Sequence, residues 1–290
     1  MLYSAAPTLS VQPETCLACG AIALPQILYR VRNFSIIRCS ICGLGHTLIT
    51  PDFDPSTIYT EAYFQGGQSD GYADYQGSHE YIAAEFRHLL HEIGTAGATR
   101  GRLLEIGCAY GFFLEEASKS FQVCGTELAE AAVAACRARG LDVVRKADEA
   151  FYSERGPFDV VVMLDVLEHL TAPDDLLLDL QHHTRLGGLL VITTGDFGSL
   201  VARTMGQHWR LMTPPQHLWY FTAEAISSLL AANGFRLLRL THPVKRVPLG
   251  LVAYQVARYI GVQRYLMRFK LPGGVPVNLF DAMRVVAVRV

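Results

Sequence analysis

The chain has 290 residues, half of them apolar, enough for one large core and a small appended unit. Its formal net charge of -2 gives no whole-chain attraction for nucleic acid. The most apolar late stretch, 247–267, is broken by Arg258 and Arg264 and so falls short of the roughly 20 clean residues of a membrane span, and no charged-then-apolar secretory leader is read at the start.

Residues 1–15 read as a loose leader, and 12–50 as a small metal-binding ribbon. Two units carry it, Cys16-Leu-Ala-Cys19-Gly20 and Cys39-Ser-Ile-Cys42-Gly43. A tight turn at CxxC spacing brings two sulfurs to one side, and the following glycine lets the backbone pass beneath the ion. Nineteen residues separate the two units, and four thiolates form a closed tetrahedral set that suits structural Zn²⁺. Between them, Tyr29–Arg32 and Phe34–Arg38 alternate apolar and polar groups, as in a short hairpin. The remaining cysteines, Cys108, Cys124 and Cys136, sit singly among apolar neighbours. Paired cysteines that bind metal rather than oxidise suit a reducing compartment, so a cytoplasmic location is expected.

Residues 51–100 read as a linker and lid helix. A Pro- and Asp-rich loop is followed by an aromatic stretch with Tyr59, Tyr63, Phe64, Tyr72 and Tyr75. Tyr81, Ile82, Phe86, Leu89, Leu90 and Ile93 then recur at helical spacing and predict a helix over 79–94.

From 101 to 290, strands and helices alternate. Strands are predicted at 102–106, 122–126, 141–144, 158–164, 189–194, 235–242 and 283–290, and helices at 112–119, 129–139, 173–184 and 222–233. Thr222 is the expected N-cap of the last helix. The order implies an α/β fold, a doubly wound parallel sheet of Rossmann-like type. Residues 244–280 read as an insertion between the last two strands, apolar, basic and free of acids. It is expected to be a helical cover, with peripheral contact to an anionic or lipid-linked acceptor as the sharper reading.

The first strand of this unit ends in Leu103-Leu-Glu105-Ile-Gly107-Cys108-Ala109-Tyr-Gly111. Glycines there let the backbone approach a ligand at positive φ. The spacing is neither GxGxxG nor a phosphate loop with a Walker lysine. Glu105 can attract a cationic amino group. Glu127, about 20 residues on at the end of the next strand, can take both hydroxyls of a ribose. A ligand with a ribose and cationic groups but no phosphate is S-adenosylmethionine.

The sequence resembles class I S-adenosylmethionine-dependent methyltransferases in LLEIGCAYGFFLEEA, in Glu127, in FDVVVMLDVLEHL and in GGLLVITT. The resemblance covers roughly 80–290 and departs from the family pattern at Ala109, where glycine is usual. It implies that Glu105, Gly107, Cys108, Ala109 and Gly111 line the methionine part. It places Glu127 on the ribose, Leu128 and Asp148 near adenine, and Leu164 and Asp165 beside the sulfonium.

Two histidines are candidates for the acceptor side. His169 follows the fourth strand at the carboxyl edge of the sheet. His217 lies in Thr213-Pro-Pro-Gln-His217-Leu-Trp-Tyr220-Phe-Thr222, a proline-stiffened segment placed to fold over the pocket. An imidazole of ordinary basicity there could take a proton as the methyl group arrives. The arrangement also resembles bacterial sugar methyltransferases that pair a zinc ribbon with this domain, which implies a small-molecule or glycan-like acceptor: a sugar, a nucleotide sugar or a lipid-linked sugar. An RNA methyltransferase that grips nucleic acid through the ribbon is disfavoured, because Arg30, Arg32 and Arg38 are the ribbon's only arginines and it has no lysine. A non-catalytic S-adenosylmethionine-binding protein is disfavoured by the glycine turn and Glu127.

Overall fold

The run Phe158–Leu164 is apolar at every position but Asp159, so a strand built from it must be covered on both faces. The computed structural model meets that demand. It describes residues 14–23, 26–50, 53, 79–248 and 274–290. The aromatic stretch from Tyr59 to Tyr75 and most of the 244–280 insertion lie outside the described residues.

In chain order the N-terminal part has β1 (Glu14–Thr15), β2 (Ile22–Ala23), β3 (Gln26–Val31), β4 (Phe34–Arg38) and β5 (Gly45–Thr47). Then come α1 (His79–Thr95), β6 (Gly101–Ile106), α2 (Phe112–Ala117), β7 (Phe121–Thr126), α3 (Glu130–Ala138), β8 (Val143–Val144), α4 (Glu149–Arg155) and β9 (Phe158–Leu164). A single 3₁₀ turn, Leu167–His169, precedes α5 (Pro173–His183) and β10 (Thr184–Gly195). The chain continues with α6 (Leu200–Met205), β11 (Trp219–Tyr220), α7 (Ala223–Ala232), β12 (Phe235–Thr241), β13 (Lys245–Pro248), β14 (Gly274–Val277) and β15 (Ala282–Arg289).

The main sheet has seven strands in the order β12-β15-β10-β9-β6-β7-β8. The expected doubly wound sheet is present, and one strand runs the other way: β15 is antiparallel to both β10 and β12. The reason is the connection. β13 and β14 pair as an antiparallel stem, so the chain leaves the sheet after β12 and returns by the same path in the opposite direction.

Alternate side chains of the strands feed two cores. Leu104, Ile106, Val161, Met163, Leu190 and Ile192 meet α5 and α7 through Leu177, Leu180, Ile226 and Leu229. Leu103, Val160, Val162 and Val191 meet α1, α2 and α3 through Leu89, Ile93, Phe113, Leu114 and Val133. Each fully buried aliphatic side chain contributes about 1.5–3 kcal/mol. Thr222 caps α7 as expected, its side chain accepting from the Ala225 N–H at 3.1 Å.

The ribbon is not a separate bead. β11 adds to β5 of the ribbon, giving a second sheet in the order β11-β5-β4-β3, with Trp219 opposite His46. Ala18, Cys42 and Leu44 of the ribbon share one buried cluster with Leu218, Trp219 and Phe221. His46 stacks on Trp219 with ring centroids 4.1 Å apart and planes 9° from parallel. Burial lowers its imidazole to about 4, so the stack forms with a neutral ring. Among the described residues, no helix is long and apolar enough to cross a membrane.

Candidate active site

The register brings the expected residues to one edge of the sheet. Ile106 of β6 lies opposite Thr126 of β7 and Met163 of β9, and Leu164 lies opposite Thr193 of β10. Gly107, Glu127 and Asp165 follow these strand ends, at the carboxyl edge where α/β sheets bind ligands.

The turn after β6 has three residues in the left-handed region: Gly107 at φ 71°, Ala109 at 46° and Gly111 at 73°. Ala109 therefore takes the glycine-like conformation despite its methyl group, and the loop is not rerouted. The N–H groups of Gly107 and Cys108 both donate to the Thr126 carbonyl, at 2.8 and 2.9 Å. Glu127 then fixes the turn from the other side. Its two oxygens accept from the Ala109 and Ala129 N–H groups, each at 2.9 Å. The Cys108 side chain packs into the core, so only its backbone faces the edge.

A substitution at Gly107 tests this geometry. A Cβ there would lie 2.6 Å from Val166 Cγ2, in a backbone conformation that already disfavours side chains. Gly107→Ala is expected to cost about 1–3 kcal/mol. That is a drop of about 2–4 °C in Tm per kcal/mol by calorimetry, with cofactor binding lost as the turn shifts.

Two buried carboxylates meet at this edge. Glu105 is 3% exposed and Glu127 7%. Burial raises the Glu105 carboxyl well above its usual range, with Cys136 and Glu127 adding to the rise. Burial also raises Glu127, against the backbone N–H groups that pull it down. Glu105 Oε2 is buried without a hydrogen-bond partner among the described residues. A cationic amino group would supply the partner that Glu105 Oε2 lacks, and the Glu127 oxygens, each with one backbone N–H, keep a lone pair for a hydroxyl, so the residues present fit S-adenosylmethionine. Leu128, 53% exposed beside Glu127, offers an apolar face for a base. Asp148 caps α4 with one oxygen, Oδ1 accepting from the Phe151 N–H at 2.8 Å. Asp165 sits at φ 56°, with its N–H donating to the Thr193 carbonyl and its Oδ1 accepting from the Thr193 hydroxyl at 3.2 Å.

His169 and His217 come together, their rings 4.7 Å apart and edge to face. Each ring Nδ1 lies 2.8 Å from a backbone carbonyl, that of Gln216 for His169 and that of Leu211 for His217. The expectation of ordinary basicity at His217 is corrected here. Burial lowers its imidazole to about 3, and the neighbouring His169 lowers it further in the same direction. Burial lowers His169 as well. Both rings are neutral around pH 7, and His217 is a weak proton acceptor.

The four ribbon cysteines also converge. Both knuckles have the same backbone pattern: Cys16 N–H donates to the Ala21 carbonyl and Gly20 N–H to that of Cys16, as Cys39 N–H does to Leu44 and Gly43 N–H to Cys39. The sulfurs of Cys16 and Cys42 are 3.6 Å apart, and those of Cys19 and Cys39 3.8 Å. Tetrahedral zinc with Zn–S near 2.3 Å needs sulfurs about 3.8 Å apart, so the set fits Zn²⁺. An open cleft of about 840 Å³ around Arg100, Lys119 and Arg185 lies at the opposite edge, where the strands begin, and holds none of these groups.

A family model described as "Methyltransferase domain" matches residues 78–240. The chain belongs to the methyltransferase domain family. Among curated proteins, it is 31% identical over 101 residues to a ubiquinone biosynthesis O-methyltransferase of Maricaulis maris, covering 32% of this chain and 40% of that relative. It is 28% identical over 146 residues to the protein of the same name from Roseobacter denitrificans, covering 46% and 59%. The chain thus spans less than two thirds of either relative. Among solved structures, magnesium protoporphyrin IX methyltransferase of Synechocystis PCC 6803 with bound SAH superposes with a TM-score of 0.51 at 14% identity, covering 81% of this chain and 99% of that one. That likeness shows the class I methyltransferase fold.

The sequence missed the contacts that hold the His217 segment. Thr47 of the ribbon donates its hydroxyl to the His217 carbonyl at 2.8 Å and lies 3.2 Å from the Tyr220 hydroxyl. The Leu218 N–H donates to the Glu168 carbonyl, and Trp219 Nε1 to that of Leu170, both at 2.8 Å. A two-residue strand that pairs with a segment some 170 residues away leaves no periodicity to read.

Proposed function

We propose that the protein transfers a methyl group from S-adenosylmethionine to an oxygen of a small-molecule acceptor. The observation that carries this is the meeting, at one sheet edge, of the glycine turn, two buried carboxylates and the His169–His217 pair. Bound S-adenosylmethionine would supply an electrophilic methyl group on its sulfonium. Glu105 would hold the amino group, Glu127 the ribose, and Leu128 the adenine face, with Leu164 and Asp165 bordering the sulfonium. His217, with His169 beside it, would face the reacting oxygen. The acceptor oxygen would gain the methyl group as its hydroxyl proton passes to solvent, and the C–S bond electrons would stay with S-adenosylhomocysteine. Alignment and exclusion of water are the chain's main contributions.

Oxygen as the accepting atom is supported by the O-methyltransferase names of the relatives. A sugar, nucleotide sugar or lipid-linked sugar remains the acceptor class suggested by the sequence resemblance. The four cysteines are proposed to hold one structural zinc. The test is release of S-adenosylhomocysteine across a panel of sugar, nucleotide-sugar, lipid-linked and phenolic hydroxyl acceptors. Turnover on one of these supports the reading. Turnover only on amines, or none with a metabolite extract, contradicts it.

Glu127→Ala removes two charge-assisted contacts to the ribose, each worth about 1.5–3 kcal/mol. Affinity for S-adenosylmethionine is expected to fall about tenfold or more by titration calorimetry, while an unchanged affinity would remove Glu127 from the site.

A further inference from the structure

We propose that Glu168, His169 and His217 form a second metal site, for a divalent first-row cation, beside the acceptor. One ligand atom from each of these residues lies within 4.8 Å of the others. That distance is wider than the spacing of about 3 Å around an ion bound at 2.0–2.2 Å, so the side chains must close inward on binding.

The hydrogen bonds around the rings favour a ligand role. A carbonyl can only accept, so the Leu211 carbonyl assigns the ring hydrogen of His217 to Nδ1, and its Nε2 carries the lone pair. His169 has its Nδ1 2.8 Å from the Gln216 carbonyl. A histidine whose outer N–H is fixed by a backbone carbonyl is the usual arrangement around a bound metal. Neutral imidazole is the form that binds metal.

The scaffold holds the three groups in register. Glu168 and His169 lie on the 3₁₀ turn after β9, and the Leu218 N–H bonds to the Glu168 carbonyl at 2.8 Å. Thr47 holds the His217 carbonyl from the ribbon side. Two imidazoles and one carboxylate suit Zn²⁺, Mn²⁺, Co²⁺ or Fe²⁺, and three protein ligands leave positions open, unlike the closed four-cysteine set. An acceptor hydroxyl entering an open position would lose its proton to solvent more readily, and its oxygen would then take the methyl group. This role rests on the methyl-transfer reading above; the binding of the ion does not.

The experiment uses the full chain with its ribbon already zinc-loaded, titrated with Co²⁺ in the absence of cofactor and acceptor. The expected result is one Co²⁺ per chain beyond the ribbon metal, with the weak visible bands of nitrogen and oxygen ligands and no sulfur charge-transfer band. His169→Ala and His217→Ala should each weaken that binding more than tenfold. X-ray absorption on the cobalt-loaded wild type, which does not depend on any variant folding, should show two imidazoles. No added cobalt, a sulfur shell, an oxygen-only shell, or binding that survives both substitutions in folded protein would overturn the site. Because metal binding is read without turnover, its failure is distinct from failure of the methyl-transfer reading.

Discussion

Cys39→Ser is expected to lower turnover about a hundredfold while leaving S-adenosylmethionine affinity within about threefold of wild type. The split follows from which elements each half of the site stands on. The glycine turn and Glu127 are held by β6 and β7 of the main sheet, through the Thr126 carbonyl and the Ala129 N–H. His217 is held by the ribbon, through Thr47 and the pairing of β5 with β11. The knuckle at Cys39 turns directly into β5, and the Thr222 hydroxyl donates to the Cys42 carbonyl at 2.7 Å. Structural zinc stabilises such ribbons by about 10–16 kcal/mol in isolation. Losing one thiolate therefore loosens β5, and a displacement of about 1 Å at the reacting atoms costs on the order of 10² in rate. Elemental analysis of wild type should give one zinc per chain. Full turnover by a zinc-free Cys39→Ser protein would show the ribbon to be a remote module.

His217→Gln carries the second large effect. Glutamine keeps the size and a hydrogen bond to the Leu211 carbonyl, but has no lone-pair nitrogen in place of Nε2. Losing the group that positions the reacting oxygen, by a displacement of about 1 Å, costs on the order of 10² in rate. The glycine turn and Glu127 are held by the Thr126 carbonyl and the Ala129 N–H rather than by the His217 segment, so cofactor affinity should hold. Steady-state kinetics with saturating acceptor and a parallel cofactor titration check both halves. A wild-type rate would leave His217 as a holder of the segment and move attention to His169.

What the sequence made legible follows from its physics. Phe158–Leu164 was readable because a strand covered on both faces needs a continuous apolar run. Thr222 was readable because a hydroxyl before an acidic first turn is a cap. Glu127 was readable from its distance to the glycine turn. The holding of the His217 segment was not. Nothing in Gly45-His-Thr47 or Trp219-Tyr220 announces that they pair, and burial, which lowers His217, is a property of the assembled fold. Ala109 shows the reverse case: the sequence departs there from the family's usual glycine, yet the Ala109 N–H bonds to Glu127 and the residue takes the glycine-like conformation. At Asp148 the resemblance implies a place near adenine, and the structure adds a cap on the Phe151 N–H.

The most direct test of the central claim is calorimetric titration of the wild-type chain with S-adenosylmethionine, and separately with NAD. One S-adenosylmethionine site per chain, competed by S-adenosylhomocysteine, and no NAD binding are expected. A chain that binds NAD, or that leaves S-adenosylmethionine unbound with its glycine turn folded, would contradict that claim.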